Sequence, residues 1–209
     1  MSETLLKNRD YTIVVAKTSS ELIQKPPGYE QRWLNAHNAI ATLAQKCETF
    51  DPDGITLYLS HQDQSEQFKS YKHVKSRQLA EIFETHHPPA TIDLLKVLET
   101  IFHEFFTRKA AQQTKPNGEM ILVLIDGEPS DRMAISRLLV HTANQLDRDS
   151  ELGIGFIQLG DDLLARGFLT ALDDNLKSAG AKFDIVHTEV LADIQPHSLT
   201  EFLQDVLSD

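Results

Sequence analysis

Only one cysteine, Cys47, occurs in 209 residues. A lone thiol cannot close an internal disulfide, so the fold is expected to rest on packing alone, in a reducing compartment. No apolar stretch approaches the roughly 18 residues that a membrane-spanning helix requires, which argues against a span. The opening MSETLLKNRD reaches charged residues before any apolar run of about seven, so it does not read as a secretory signal. Together these absences point to the cytoplasm. Basic charge is also short, with 20 Lys and Arg against 31 Asp and Glu and a formal charge of −11. That balance opposes binding to nucleic acid or to anionic membrane surfaces. The nearest basic segment, KSYKHVKSR from Lys69 to Arg77, is interrupted and reads as a solvated face.

Enzyme signatures are missing as well. The chain has no G-x-S-x-G elbow, no G-x-x-x-x-G-K phosphate loop and no G-x-G-x-x-G after its first strand. GIGF, from Gly153 to Phe156, lies inside an apolar run, where glycines serve close packing rather than a phosphate. His86 and His87 are neighbours, and adjacent side chains in an extended loop point apart. With His61 and His73 they lack the C-x-x-C or H-x-x-x-H spacing of a transition-metal site. The acidic pairs Asp161-Asp162 and Asp173-Asp174 fall at helix ends or faces, where solvated charge is the ordinary outcome. The expectation is a protein that is not an enzyme.

What is present is an alternation of strand and helix signals. Tyr11 to Val15 is β-branched and aromatic, Tyr29 to Phe50 carries Trp33, Ala36, Ile40, Leu43 and Cys47 at helical spacing, and Gly54 to Leu59 is again a strand. An edge strand is expected between Gln67 and Tyr71, then helical period from Val74 to Glu84. Pro88 and Pro89 break the chain before an amphipathic helix from Ile92 to Arg108. Met120 to Ile125 and Gly153 to Leu159 read as buried strands, with a helix from Met133 to Leu146 between them. Asp161 is expected to cap a helix running to Leu176, followed by a strand from Lys182 to Val186 and a helix from Leu199 to Leu207. The pattern implies an α/β, doubly wound, mostly parallel central sheet of about six strands flanked by helices, in a single domain. In such sheets ligands bind beyond the carboxyl ends of the strands, where the strand order reverses, so the loops after Val15, Glu84 and Ile125 are the places to look.

Those loops carry a resemblance. The first reads A-K-T-S-S from Ala16, the middle segment reads HPPATIDLLKVL, and the last reads I-D-G-E-P-S-D around Asp126. This set resembles the von Willebrand factor type A (vWA) family over roughly residues 9–207. That family carries a metal-ion-dependent adhesion site: a D-x-S-x-S motif after the first strand, a threonine before a central helix, and an aspartate in a T-D-G type motif after the fourth strand. The resemblance implies ligand positions at Ala16, Thr18, Ser20, Ile92 and Asp126. The match at Asp126 is the most specific, whereas Ala16 offers a methyl where the family has a carboxylate. Aligning on Asp93-Leu94 puts the threonine position on Ile92, with Thr91 beside it as the alternative register.

Mg²⁺ needs near-octahedral oxygen coordination, so losing a carboxylate at Ala16 and a hydroxyl at Ile92 implies a site that is empty or weakly occupied by Mg²⁺. Glu21 and Thr91 are the residues that would rebuild it. Each position also has a plain structural reading. Thr18 and Ser20 satisfy loop backbone groups, Asp126 caps a turn, Asp131 starts a helix, and Cys47 is a small core residue. The implied function is a cytoplasmic protein-interaction domain with a degenerate adhesion site, a scaffold or regulatory partner of a metal-competent vWA relative. Its contact rim would be Lys17, Thr18, Ser20, Glu21, Thr91, Ile92, Asp126 and Glu128, with Lys17 and Ile92 offering a charge and an apolar contact in place of the cation. The alternatives are a Mg²⁺-dependent domain with a rebuilt site, and a small-molecule-binding or hydrolytic α/β domain using Ser20, Thr18 and Asp126.

Overall fold

The computed structural model describes residues 3–18, 29–60, 68–85, 90–194 and 198–208. Its strands are β1 (Asp10–Ala16), β2 (Ile55–Ser60), β3 (Phe68–Val74), β4 (Glu119–Ile125), β5 (Leu152–Gln158) and β6 (Val186–Val190). The α-helices are α1 (Tyr29–Phe50), α2 (Leu79–Glu84), α3 (Leu94–Ala110), α4 (Arg132–Asn144), α5 (Leu163–Asn175) and α6 (Leu199–Asp205). The strands form one six-stranded sheet in the order β3-β2-β1-β4-β5-β6. Every pairing is parallel except β2 with β3, which runs antiparallel at the edge. The doubly wound α/β arrangement expected from the alternating pattern is therefore present.

Side-chain alternation divides the core into two layers. Ile13, Val15, Leu57, Leu59, Leu122, Leu124 and Ile157 face α1, α2 and α6. Val14, Ala16, Ile121, Val123, Ile125, Ile154 and Phe156 face α3, α4 and α5. All seven residues of β4 are buried, which only a strand covered on both faces requires. Gly153 and Gly155 do serve close packing. A Cβ at Gly153 would lie 2.8 Å from the Val206 carbonyl oxygen, and one at Gly155 would lie 2.9 Å from the Val206 side chain, so α6 and the turn after it rest directly on β5.

Polar groups collect at the amino ends of the central strands. The fully buried Arg9 donates to the carbonyl oxygens of Glu119 at 2.9 Å, Ser150 at 2.6 Å and Leu5 at 3.1 Å, joining three segments of the chain. Glu119, also buried, accepts from the Thr12 hydroxyl at 2.7 Å and from the Arg108 guanidinium. Burial pushes its carboxyl up from the ordinary range, while Arg108 and Thr12 pull it back down.

Several boundaries differ from the sequence expectation, each for a tertiary reason. The last strand is Val186–Val190 rather than the more apolar 182–186. An edge strand needs only half its surface buried, so the polar alternation VHTEV fits there, while Ile185 offers its carbonyl to the Ile154 N–H at 2.7 Å. Asp162, not Asp161, caps α5, accepting from the Ala165 N–H at 2.7 Å. Val74 belongs to β3, and one 3₁₀ turn from Ser76 to Gln78 precedes α2. His37 stacks on Phe83 at 4.2 Å beside the buried Trp33.

Gly118 turns the chain into β4 with φ +78°, and a Cβ there would lie 1.8 Å from the Glu151 carbonyl oxygen. Gly118→Ala is expected to cost about 2–4 kcal/mol in urea unfolding, from backbone strain plus displacement of the Glu151 backbone. Cys47 is fully buried and its thiol is pushed up by burial. Native protein is expected to resist iodoacetamide, with modification appearing only as the protein unfolds; rapid alkylation under native conditions would contradict this packing.

Candidate functional site

The strand order reverses between β1 and β4, so the crevice at their carboxyl ends is where this topology presents a ligand site. Two loops meet there directly. The Thr18 backbone N–H donates to Asp126 Oδ1 at 2.8 Å, and the Thr18 hydroxyl donates to the Gly127 carbonyl at 2.6 Å. The segment before α3 joins them, since the Ile92 N–H donates to the Lys17 carbonyl at 3.0 Å. Asp93 then caps α3, accepting from the Lys96 N–H at 3.0 Å. Three loops far apart in sequence are thus fastened to one another by main-chain and side-chain hydrogen bonds.

The lining of this crevice is partly apolar. Ala16 is fully buried, and Ile92, at 4% exposure, belongs to the same buried cluster with Ile125 and Ile135. Lys17 and Asp126 are each 2% exposed, so both charged groups lie inside the protein. Three of the expected rim contacts, Lys17, Ile92 and Asp126, are therefore interior groups. Ile92 follows the apolar register of the layer beneath α3, and Lys17 is covered where β1 ends. The accessible residues are Thr18 and Glu128, half-exposed, and Thr91, exposed, joined by the exposed Asp93, Ser130 and Asp131. Glu128 accepts from Arg132 at 2.6 Å across one turn at the start of α4. Ser20, Glu21, His61, His86 and His87 lie outside the described residues.

Thr18 and Thr91 line one small cavity of about 50 Å³, with Ile92, Asp93, Ser130 and Asp131 among its other walls. That space matches one or two waters, far below the roughly 300–1,000 Å³ of small-molecule sites. From the middle loop both Thr91, exposed, and Ile92, buried, line this cavity. Among the described residues, no three His, Cys, Asp or Glu side chains converge as a metal-binding group. Asp131 precedes α4 without capping it through its side chain; it lines the cavity, and its Oδ2 accepts from the Ser130 hydroxyl at 3.1 Å. Its role there was not visible in the sequence, where an aspartate before a helix signals a cap.

No protein-family model and no curated protein matches this chain. Solved structures do match, among them a crystal structure of manganese-loaded TRAP protein from Plasmodium vivax, with 12% identity and a TM-score of 0.50. The match covers 96% of this chain and 74% of that one. The fold is vWA-like. At this identity the likeness concerns the fold, and what the vWA-like fold contributes here is the meeting of the β1, α3 and β4 loops at one crevice. No helix among the described residues is long and apolar enough to cross a membrane.

Asp126 holds the Thr18 N–H across two loops, so Asp126→Ala leaves a part-buried donor unpaired. A loss of about 1–3 kcal/mol is expected in chemical denaturation. A neutral substitution would mean that the fastening of the loops lies elsewhere.

Proposed function

We propose that this chain is a non-enzymatic protein-interaction domain of the vWA type, in which protein groups rather than a divalent cation hold the adhesion crevice together. The observation that carries the reading is the direct tie from Thr18 to Asp126 and Gly127, beside the apolar Ala16 and Ile92. A cation at this crevice would need oxygens from both loops, and the first-loop position nearest to Asp126 in the family pattern bears only a methyl. The described residues, with a methyl at Ala16, do not by themselves fit a resident Mg²⁺. A space of about 50 Å³ is also too small for a metabolite-sized substrate, which supports a binding rather than a hydrolytic role.

The rim that stays accessible carries Thr18, Thr91, Asp93, Glu128, Ser130 and Asp131. Without a cation it is acidic and hydroxyl-rich, so it suits a basic segment of a protein partner, in keeping with the chain's charge of −11. A cytoplasmic scaffold or regulatory partner of a metal-competent relative is the role in which a retained framework without its ligands makes sense. Co-purification with such a relative tests that role.

A metal-dependent domain is the second reading. It is favoured by the shared cavity of Thr18 and Thr91 and by the manganese in the similar TRAP structure. Calorimetric titration with Mg²⁺ and Mn²⁺, on the protein and on Ala16→Asp, separates the two. The protein itself is expected to show no saturable uptake. Ala16→Asp buries a new carboxylate and is expected to lose about 2–4 kcal/mol of stability in chelator. Mn²⁺ should return part of that loss by mass action, raising the melting temperature of the variant and not of the parent. Saturable Mn²⁺ binding by the parent, abolished by Asp126→Asn, would replace the proposal with the metal-dependent reading.

A further inference from the structure

On the other side of the same edge of the sheet, α1 forms a trough with the turn after β5, with Leu191, Ala192 and Ile194 after β6, and with Leu199 at the start of α6. Its volume is about 650 Å³ and its walls are predominantly apolar. Leu43, Leu159 and Leu199 are buried at its base, and Leu191, Ile194 and Ala39 form half-buried sides. The size and lining are those of a small-molecule site, in contrast to the small cavity at the β1–β4 crevice.

One charged side chain occurs among the lining residues, Arg32 on the first turns of α1. It is half-buried, and among the described residues it has no hydrogen-bond or ion-pair partner. A guanidinium is a planar fork of donors, and leaving it half-desolvated without an acceptor is costly. Its seat is shaped by Gly160, where φ is +79° and a Cβ would lie 2.9 Å from Arg32 Cζ and Nε. Gln31, Asn35 and Asn38 also line the trough, and Gln31 Nε2 donates to Asn35 Oδ1 at 2.9 Å. The positive end of the long helix α1 adds to the preference for an anion at this end of the trough.

We propose that this trough binds a small amphipathic carboxylate, with the carboxylate paired to Arg32 and an aliphatic chain laid along α1 over Leu43, Leu159 and Leu199. A single guanidinium with no second cation among the lining residues matches one carboxylate, bidentately, better than a doubly charged phosphate. From Arg32 to Leu43 the helix advances by eleven residues, about 16 Å at 1.5 Å per residue, which accommodates a medium-length chain. This site is separate from the proposed adhesion crevice and stands or falls independently of it.

Calorimetric titration of the full chain with octanoate tests the assignment. Saturable one-site binding is expected, weakened about tenfold or more by Arg32→Gln and similarly when octanoate is replaced by 1-octanol. Ala39→Trp, which fills the trough while keeping Arg32, is expected to abolish binding, and Gly160→Ala to weaken it by displacing the guanidinium. Circular dichroism serves as the folding control, and Arg32→Gln is expected to keep the native melting temperature because Arg32 bonds to nothing that folding requires. Absence of saturable octanoate binding by the parent overturns the proposal, as does equal affinity in folded Arg32→Gln or Ala39→Trp. Failure to bind octanoate together with a dimer in sedimentation that Ala39→Trp dissociates would reassign the trough to a second copy of the chain.

Discussion

The pairing of β1 with β4 is the constraint on which the rest of the molecule depends. The two strands run parallel in unbroken register from Asp10 opposite Glu119 to Ala16 opposite Ile125, at the centre of a sheet covered on both faces. A strand buried on both faces has no side on which to carry polar side chains, so polar chemistry is driven to its ends. At the amino ends it becomes the network of Arg9, Thr12, Arg108 and Glu119. At the carboxyl ends it becomes the meeting of Thr18, Asp126 and Gly127.

The two ends are built differently. At the amino end, Arg9 donates to three backbone carbonyls and Arg108 to the Glu119 carboxylate, and the Arg9 bonds fasten the chain ahead of β1 to the starts of β4 and β5. Removing Arg108 would leave the buried Glu119 carboxylate with only the Thr12 hydroxyl as partner, the costly outcome for a charged group in an interior. At the carboxyl end the charges are also covered, yet the surface around them stays open and polar, with hydroxyls and carboxylates contributed by three loops. A fold of this kind carries its binding chemistry on such loops because the sheet beneath is rigid and the loops are free to vary. In this protein the buried Ala16 and Ile92 lie beside the crevice, and the loops hold one another directly through Thr18, Asp126 and Gly127.

The crevice and the trough along α1 differ in the chemistry they offer. The first is small, acidic and rich in hydroxyls; the second is long, apolar and marked by one arginine. Under the readings proposed above, a basic partner and an anionic ligand would thereby meet separate surfaces of a chain whose overall charge of −11 favours cationic partners.

Local signals made much of the architecture legible. The helical spacing of Trp33, Ala36, Ile40, Leu43 and Cys47 marked α1 and its buried face, and the unbroken apolar run from Met120 to Ile125 marked the strand covered on both sides. Periodicity is a property of neighbouring residues, and a sequence displays it without knowing what lies opposite. β6 was misplaced for the same reason, because an edge strand is defined by its pairing with β5 rather than by its own apolarity.

The A-K-T-S-S and I-D-G-E-P-S-D segments by themselves pointed to the two loops that meet at the carboxyl ends of β1 and β4. Only the tertiary structure decided that Lys17 and Ile92 turn inside, that Thr91 reaches the cavity, and that Thr18 bonds to a loop 109 residues away. The trough, with Arg32 unpaired among the described residues, was equally invisible, since its walls come from α1, the turn after β5, residues following β6 and the start of α6. Secondary structure is written in contacts within a few residues of the chain, whereas the depth of a side chain and the partner it meets are set by how distant segments pack.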